Sequence, residues 1–222
     1  MNNQNILVGT DLTKNFGELR IVKRVSISIA ENEFVCLTGK SGSGKTTLLS
    51  MLSGLESPTS GHIMLGGKDI AGASEDELAL FRRENVGIIF QSFNLIPTLS
   101  AWENVALPLF PEKMSKHQRR ERAIALLDKM GLGNRLDHLP SELSGGEKQR
   151  VAIARSLVKS PRILFADEPT GNLDSVTGSA ILNVLREINS NDKVAILMVT
   201  HDEDIAKSAN RVIHMHDGEI AA

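Results

Sequence analysis

Short apolar runs bounded by turn-forming residues alternate along the chain with longer segments of helical pattern. The apolar runs predict β-strands at residues 26–29, 33–38, 86–90, 163–166 and 194–200. Ser74 with Glu77, and Ser115 with Gln118, have the spacing of a helix capping box. Strands that are apolar on both faces and alternate with helices are typical of a parallel sheet covered by helices. The pattern therefore predicts an α/β fold.

Residues 92–158 interrupt this alternation. The segment has no convincing strand pattern, whereas an apolar helical periodicity begins at Ser115 and stops at Gly131. Glycine is favoured just after a helix because it adopts the left-handed backbone that ends the last turn. We therefore expect one domain, 1–222, with a helical lobe at about 92–158 inserted into a core formed by about 1–91 and 159–222.

The composition excludes several classes of protein. The 222 residues are 41% hydrophobic and 23% charged, which is typical of a globular chain. With 25 Lys and Arg against 27 Asp and Glu, the net charge of −2 predicts no nucleic-acid partner, since such binding needs a basic surface. One cysteine, Cys36, excludes a disulfide framework. The chain has no signal-peptide or membrane-span pattern, so we expect it to be cytoplasmic and to reach a membrane only through a partner.

A glycine-rich segment after the predicted strand 33–38 is the strongest chemical signal. Residues 39–46, GKSGSGKT, fit the pattern Gly-x-x-x-x-Gly-Lys-[Ser/Thr], and a helical run at 47–52 follows. Glycines let backbone N–H groups converge on phosphate oxygens, and the following helix N-terminus attracts anions. Lys45 is predicted to reach the β- and γ-phosphates, and the Thr46 hydroxyl to ligate Mg²⁺. The nucleotide-binding residues predicted here are Gly39, Lys40, Ser41, Gly42, Ser43, Gly44, Lys45, Thr46 and Thr47.

Two acidic residues follow the predicted strand 163–166. Asp167, at the end of the strand, is placed to hold Mg²⁺ directly or through water. Glu168 comes one residue later and is expected to polarise an attacking water as a general base. Together with residues 39–46, these carboxylates predict a site that hydrolyses a nucleoside triphosphate with Mg²⁺.

A second anion-binding helix start lies at residues 143–147, with the sequence Leu-Ser-Gly-Gly-Glu. Its backbone N–H groups are free to bind an anion, but the Lys-Thr pair of a complete phosphate site is missing. With this segment the chain resembles the nucleotide-binding subunit of ABC transporters over nearly its whole length. The resemblance implies a P-loop NTPase core of the RecA-like type, a small antiparallel β subdomain and an inserted helical subdomain.

The resemblance also implies that binding residues act between two chains. In this family the signature sequence of one subunit contacts the γ-phosphate bound by the other, so ATP promotes a head-to-tail homodimer. By resemblance, the signature residues are Ser144, Gly145 and Gly146. The signature ends here in Glu147, where glutamine is commonest in the family; we expect this change to be tolerated.

Further roles are implied by position. Gln91, after the predicted strand 86–90, matches the Q-loop glutamine that contacts Mg²⁺ or water. His201 matches the switch histidine that contacts the γ-phosphate, and residues 171–174 match the D-loop, a dimer contact. Phe16 occupies the position of the aromatic residue that stacks on adenine, where tyrosine is usual. The implied catalytic set is thus Glu168, His201 and Gln91.

Residues 93–105 and 167–175 are similar to one subgroup, the ATPases of lipoprotein-release, macrolide-export and antimicrobial-peptide-resistance systems. The resemblance implies an ATPase, with ATP and Mg²⁺, that drives transmembrane permease subunits from the cytoplasmic face of the membrane. Its work is then export or mechanotransmission of lipoprotein, peptide or drug. The similar cell-division ATPase that regulates wall hydrolases is an alternative. Two others are a DNA-repair-type ABC ATPase, which needs a coiled coil that this chain lacks, and a soluble P-loop kinase.

Overall fold

The computed structural model describes residues 4–220, and their strands form two sheets. The larger sheet comprises β3 (Phe34–Thr38), β6 (Val86–Ile89), β7 (Ile163–Asp167), β8 (Ala195–Val199), β9 (Arg211–His216) and β10 (Glu219–Ile220). Its order is β10-β9-β3-β8-β7-β6, and its strands are parallel except for β10 at the edge. The smaller sheet is antiparallel and comprises β1 (Asn5–Phe16), β2 (Leu19–Ala30), β4 (Ser60–Leu65) and β5 (Lys68–Asp69).

The helices are α1 (Lys45–Leu52), α2 (Glu75–Asn85), α3 (Ala101–Ala106), α4 (Lys116–Lys129), α5 (Gly145–Leu157), α6 (Ser175–Asp192) and α7 (Glu203–Ala206), with 3₁₀ turns at Leu107–Leu109 and Pro140–Glu142. Most connections between strands contain one helix or none, whereas the connection between β6 and β7 contains three, α3 to α5. Both predicted capping boxes are formed, at the starts of α2 and α4. Within the described range 4–220, none of these helices is long and apolar enough to span a membrane.

Each face of the parallel sheet is covered by its own cluster of buried side chains. In β3, Val35 and Leu37 point to the side of α1 and the antiparallel sheet, whereas Phe34 and Cys36 point to the side of α3, α4, α5 and α6. This alternation follows from the two-residue period of a strand. The helices between β6 and β7 therefore share one hydrophobic core with the sheet.

The predicted α/β class with an antiparallel subdomain is confirmed. All five predicted strands overlap observed ones, but residues 26–29 are only part of the long strand β2. Strands β1, β4 and β5 were not predicted, because the apolar runs of β1 and β4 are only three residues long and β5 consists of two exposed polar residues. Strand β6 ends at Ile89, so Gln91 lies two residues beyond the strand rather than directly after it.

Asn104 of α3 organises the loop before that helix. Its side chain is fully buried, donates to the carbonyls of Ile96, Leu99 and Ser100, and accepts a bond from the Ile96 N–H at 2.7 Å. The Ile96 and Ser100 carbonyls also accept from the backbone N–H groups of Leu99 and Asn104, whereas the Ile96 N–H and the Leu99 carbonyl are paired by the Asn104 side chain. One side chain thus supplies the bonds that the turn at residues 96–100 lacks.

We predict that Asn104→Leu lowers the free energy of unfolding by about 2–3 kcal/mol, because it leaves the partly buried Ile96 N–H and Leu99 carbonyl without partners. Urea unfolding of the parent and the variant measures the difference. Asn183→Leu, an exposed asparagine of α6, is the matched control and should change stability by less than about 0.5 kcal/mol. Equal unfolding midpoints for the parent and Asn104→Leu would contradict the prediction.

Candidate nucleotide-binding site

The phosphate-binding loop, residues 39–46, connects the central strand β3 to α1. Gly39 and Gly44 have φ values of 147° and 99°, which other residues adopt only with strain. A Cβ at Gly39 would lie 2.1 Å from the carbonyl oxygen of Met215, and one at Gly44 would lie 2.9 Å from that of Ile21. The loop is therefore pressed against β9 and β2, and its shape requires glycine at both positions.

Lys45 is the buried cation of this loop. Its side chain is 6% exposed, and its Nζ donates to the carbonyls of Gly39 and Lys40 at 2.8 and 2.9 Å. Both acceptors are neutral, so they do not cancel the charge. The Ser43 hydroxyl is also buried and has no hydrogen-bond partner. A cation and an unsatisfied donor, enclosed by a loop of backbone N–H groups before a helix, fit a bound polyphosphate.

Thr46 and Asp167 meet beside the loop. The Thr46 hydroxyl donates to Asp167 Oδ1 at 3.2 Å, which joins the start of α1 to the end of β7. Burial raises the pKa of Asp167, and the neighbouring Glu168 charge adds to this, while Thr46 and Lys45 partly offset it. A hydroxyl and a carboxylate are oxygen donors of the kind that Mg²⁺ takes beside nucleotide phosphates. The residues present therefore fit Mg²⁺.

Glu168 and His201 are brought together by the parallel pairing of β7 with β8. Asp167 pairs with Val199, so the residues that follow the two strands leave the sheet side by side. Glu168 Oε2 lies 3.0 Å from His201 Nδ1. The φ of Glu168 is 43°, which is left-handed backbone and is costly for any residue other than glycine. This conformation turns the chain sharply at the end of β7.

Gln91 lies on the same edge of the sheet, because β6 is the parallel neighbour of β7. Its backbone carbonyl accepts a bond from Asn172 Nδ2 at 2.9 Å. A Cβ placed on Gly171 would lie 2.8 Å from Gln91 Nε2 and 3.2 Å from Glu168 Oε2. The amide and the carboxylate therefore lie against the same glycine, and the three predicted catalytic side chains are close together.

The signature residues form the start of α5. The Ser144 N–H donates to Glu147 Oε2 at 2.8 Å, and the Ser144 hydroxyl accepts from the Glu147 N–H. Gly146 packs so tightly that a Cβ would lie 2.4 Å from Thr177 Cγ2 of α6. Within residues 4–220, no hydrogen bond joins the signature to the phosphate-binding loop. The signature glycines pack against Leu173 and α6, whereas Gly39 and Gly44 pack against β9 and β2, so the two predicted anion-binding elements have different neighbours.

Glu147 is held by more than the capping box. Its Oε1 lies 3.0 Å from Arg135 Nε. The Ser144 N–H and then Arg135 lower the pKa of Glu147 to about 2. The departure from glutamine at this position is thus matched by a nearby cation.

Phe16 lies at the tip of the β1–β2 hairpin and is 51% exposed. The Lys14 ammonium lies 5.1 Å from the centre of its ring. The same hairpin contacts the phosphate-binding loop through Ile21 of β2, next to Gly44. The structure thus presents an open aromatic ring on the element that adjoins the loop.

Arg155 of α5 was not singled out from the sequence. Its guanidinium donates to the carbonyls of Phe93 and Asn94 at 2.8 and 2.6 Å, and burial lowers its pKa. Phe93 and Asn94 both have left-handed backbone, with φ values of 61° and 49°, and they follow Gln91 closely. The one sequence signal that could have identified Arg155 is its place within an otherwise apolar helix face. An arginine on the surface would give the same pattern.

A phosphate-binding loop between a central parallel strand and a helix, facing acidic residues on the next strand but one, is the arrangement of a P-loop nucleotide-binding protein. Comparison with known families is more specific. Residues 22–171 match the family model described as ABC transporter. The chain belongs to this family and is an ATPase of it, so the soluble-kinase alternative is wrong.

Relatives of known name agree with this assignment. The chain is 48% identical over 206 residues to an uncharacterised ABC transporter ATP-binding protein of Methanocaldococcus jannaschii, covering 92% of each chain. It is 47% identical over 212 residues to the macrolide export ATP-binding/permease protein MacB of Syntrophobacter fumaroxidans, covering 94% of this chain and 30% of that one. The chain thus spans under a third of the MacB relatives. The predicted resemblance to the macrolide-export subgroup is confirmed.

Solved structures give the same fold. The dimeric structure of MJ0796, a bacterial ABC transporter cassette, has a TM-score of 0.90 at 41% identity, with 97% of both chains covered. A dimeric post-hydrolysis state of the same cassette, bound to ADP and Pi, has a TM-score of 0.89. These likenesses confirm the nucleotide-binding fold; the roles of single residues stay predictions.

We predict a pH-dependent contribution of Glu147 to stability. Because its pKa in the folded chain is lowered to about 2, its contribution is complete above its ordinary pKa of 4.5 and is lost as the pH falls from there towards 2. Glu147→Ala should cost about 1 kcal/mol at pH 7, as expected for a lost helix cap, and the difference should shrink below pH 4.5. Urea unfolding between pH 7 and pH 3 measures it. Glu187→Ala, at an exposed position of α6, is the control; a constant difference at all pH values would refute the assignment.

Proposed function

We propose that this chain is the ATP-hydrolysing subunit of a membrane ABC transporter and that it acts as an ATP-dependent homodimer. The observation that carries the proposal is the separation of two incomplete anion sites. Residues 39–46 enclose Lys45 and the unpartnered Ser43 hydroxyl, whereas the signature begins α5 and packs on α6. A second copy related by a two-fold axis would bring each signature to the other chain's loop. The dimeric state named for the MJ0796 structures supports this arrangement.

The residues of the loop hold the triphosphate in this proposal. Lys45 pairs with the β- and γ-phosphates once its ammonium exchanges backbone carbonyls for charged oxygens, a stronger partner. Thr46, Asp167 and Gln91 would hold Mg²⁺, which would supply positive charge to the phosphates. Phe16 stacks on the adenine through its exposed face.

Hydrolysis is assigned to the group around Gly171. Glu168 accepts a proton from the attacking water, and the adjacent His201 holds the carboxylate in place and contacts the γ-phosphate. Gln91, against the same glycine, orients the water or the metal. These roles rest on the short distances between the three side chains and on the family resemblance.

The partners and location belong to the same proposal. The MacB relatives are named ATP-binding/permease proteins, and this chain matches under a third of their length. We therefore assign the chain to the cytoplasmic face of a membrane, where permease subunits receive the work of dimerisation. The subgroup favours export or mechanotransmission of a lipoprotein, peptide or drug.

Glu168→Gln tests the general base. We expect ATP to bind with unchanged affinity while turnover falls by about 10²–10⁴-fold, because the amide cannot accept the proton. The variant should also accumulate an ATP-bound dimer on size-exclusion chromatography, since hydrolysis no longer separates the chains. Glu187→Gln, on the exposed face of α6, is the control. Turnover close to that of the parent would eliminate the assignment.

Mixing two inactive chains tests the composite site. Ser144→Arg removes the signature of one chain, and Lys45→Ala removes the phosphate partner of the other. A mixed dimer then has one site with both defects and one with none, so phosphate release should recover in part. Each variant alone is the control. If heterodimers form, as shown by differently tagged chains, but release no phosphate, the site is not shared.

A further inference from the structure

Gln149 of α5 is a buried polar residue that the site described so far does not use. Its side chain is 0% exposed, and its Nε2 donates to the Pro169 carbonyl at 2.7 Å. Its Oε1 is also buried and has no partner. An unpaired buried acceptor costs about 1–3 kcal/mol, which offsets the stabilisation from the bond that Nε2 makes to the Pro169 carbonyl. Net stability therefore does not account for an amide at this position.

The carbonyl that Gln149 binds belongs to the turn that carries Glu168. The Glu168 carbonyl accepts from the Gly171 N–H, and the Thr170 carbonyl accepts from the Leu173 N–H. The Pro169 carbonyl lies between these two, and its bond comes from Gln149. The side-chain amide thus completes the hydrogen bonding of the turn.

This turn needs support, because Glu168 has a φ of 43°. Left-handed backbone costs about 1–2 kcal/mol outside glycine, so the conformation lasts only where neighbouring bonds hold it. If the Pro169 peptide rotated, the Glu168 backbone would relax and its carboxylate would leave the position 3.0 Å from His201 Nδ1. The bond from Gln149 opposes that rotation.

We propose that Gln149 is a positioning residue for hydrolysis, which holds the Glu168 turn in its strained conformation and fixes it to the helix that begins with the chain's own signature. Gln149 lies in the second turn of α5, about 6 Å along the helix axis from Gly145. If contact between Ser144 and a nucleotide on the partner chain shifts α5, the bond from Gln149 passes that shift to Glu168 of the same chain. The two composite sites of a dimer are linked in this way. The inference rests on the proposed role of Glu168.

Gln149→Met is the first test, because it keeps the volume and removes both the donor and the unpaired oxygen. We expect the melting temperature to change by less than about 4 °C and the KM for ATP to stay the same. The kcat should fall by about 10- to 100-fold, because a catalytic group that is misplaced by up to about 1 Å loses this much rate. Ser156→Ala is the matched control, since it removes a side-chain donor of α5 that binds the Ile153 carbonyl instead. A kcat equal to that of the parent would overturn the proposal.

A second arm separates this role from support of α5 itself. In the Glu168→Gln background, adding Gln149→Met should leave the ATP-dependent dimer intact at the same ATP concentration. Loss of that dimer would assign Gln149 to the signature instead and overturn the proposal. If Glu168→Gln alone turns over like the parent, the proposed general base fails, and that result is distinct from a failure at Gln149.

Gln149→Glu gives a readout that packing alone would not produce. A fully buried carboxyl has a raised pKa, and in its protonated form it donates to the Pro169 carbonyl as the amide does. Its kcat should therefore exceed that of Gln149→Met at the acidic end of the pH range over which the parent is active. A kcat no higher than that of Gln149→Met at every pH tested would overturn the proposal.

Discussion

The parallel pairing of β3, β8, β7 and β6 determines where every proposed catalytic group lies. Parallel strands end at the same edge of a sheet, so the loops that follow them converge. The pairs Leu37 with Val199 and Asp167 with Val199 bring the phosphate-binding loop, the acidic turn and His201 to one edge. Gln91 joins them because β6 pairs with β7. If the order of these strands changed, the same residues would not form a site.

The strand order of this sheet is stabilised by the burial of both of its faces. The antiparallel sheet and α1 cover one face, and α3 to α6 cover the other. The lobe between β6 and β7 is thus packed on β7, which ends at Asp167, and on β6, which precedes Gln91. Arg155 and Gln149, both on α5, add polar contacts to the residues just after those two strands. Helix α5 is therefore hydrogen-bonded to both segments that follow these strands.

Much of the fold and of the candidate site was predictable from the sequence, and there is a physical reason why the other elements and contacts were not. Apolar runs identified the parallel strands β3, β6, β7 and β8, and the glycine pattern identified the phosphate-binding loop, since both depend on neighbours in the chain. In β1, buried and exposed residues follow one another irregularly because its pairing with β2 shifts register, and the apolar runs of β1 and β4 are only three residues long. The bonds of Asn104, Gln149 and Arg155 depend on where distant or strained segments come to lie. Local spacing does not encode such contacts.

Glu147 shows how a change at an anion-binding position is accommodated. A carboxylate in the first turn of a helix whose N-terminus is proposed to bind phosphate would repel that phosphate if it were free. Here one carboxylate oxygen accepts a hydrogen bond from the Ser144 N–H and the other pairs with Arg135, so both oxygens of the Glu147 carboxylate have partners. The capping box also fixes the Ser144 backbone that presents the N–H groups. The acidic residue thus stabilises the helix start, and Arg135 offsets the charge that would otherwise oppose a bound anion.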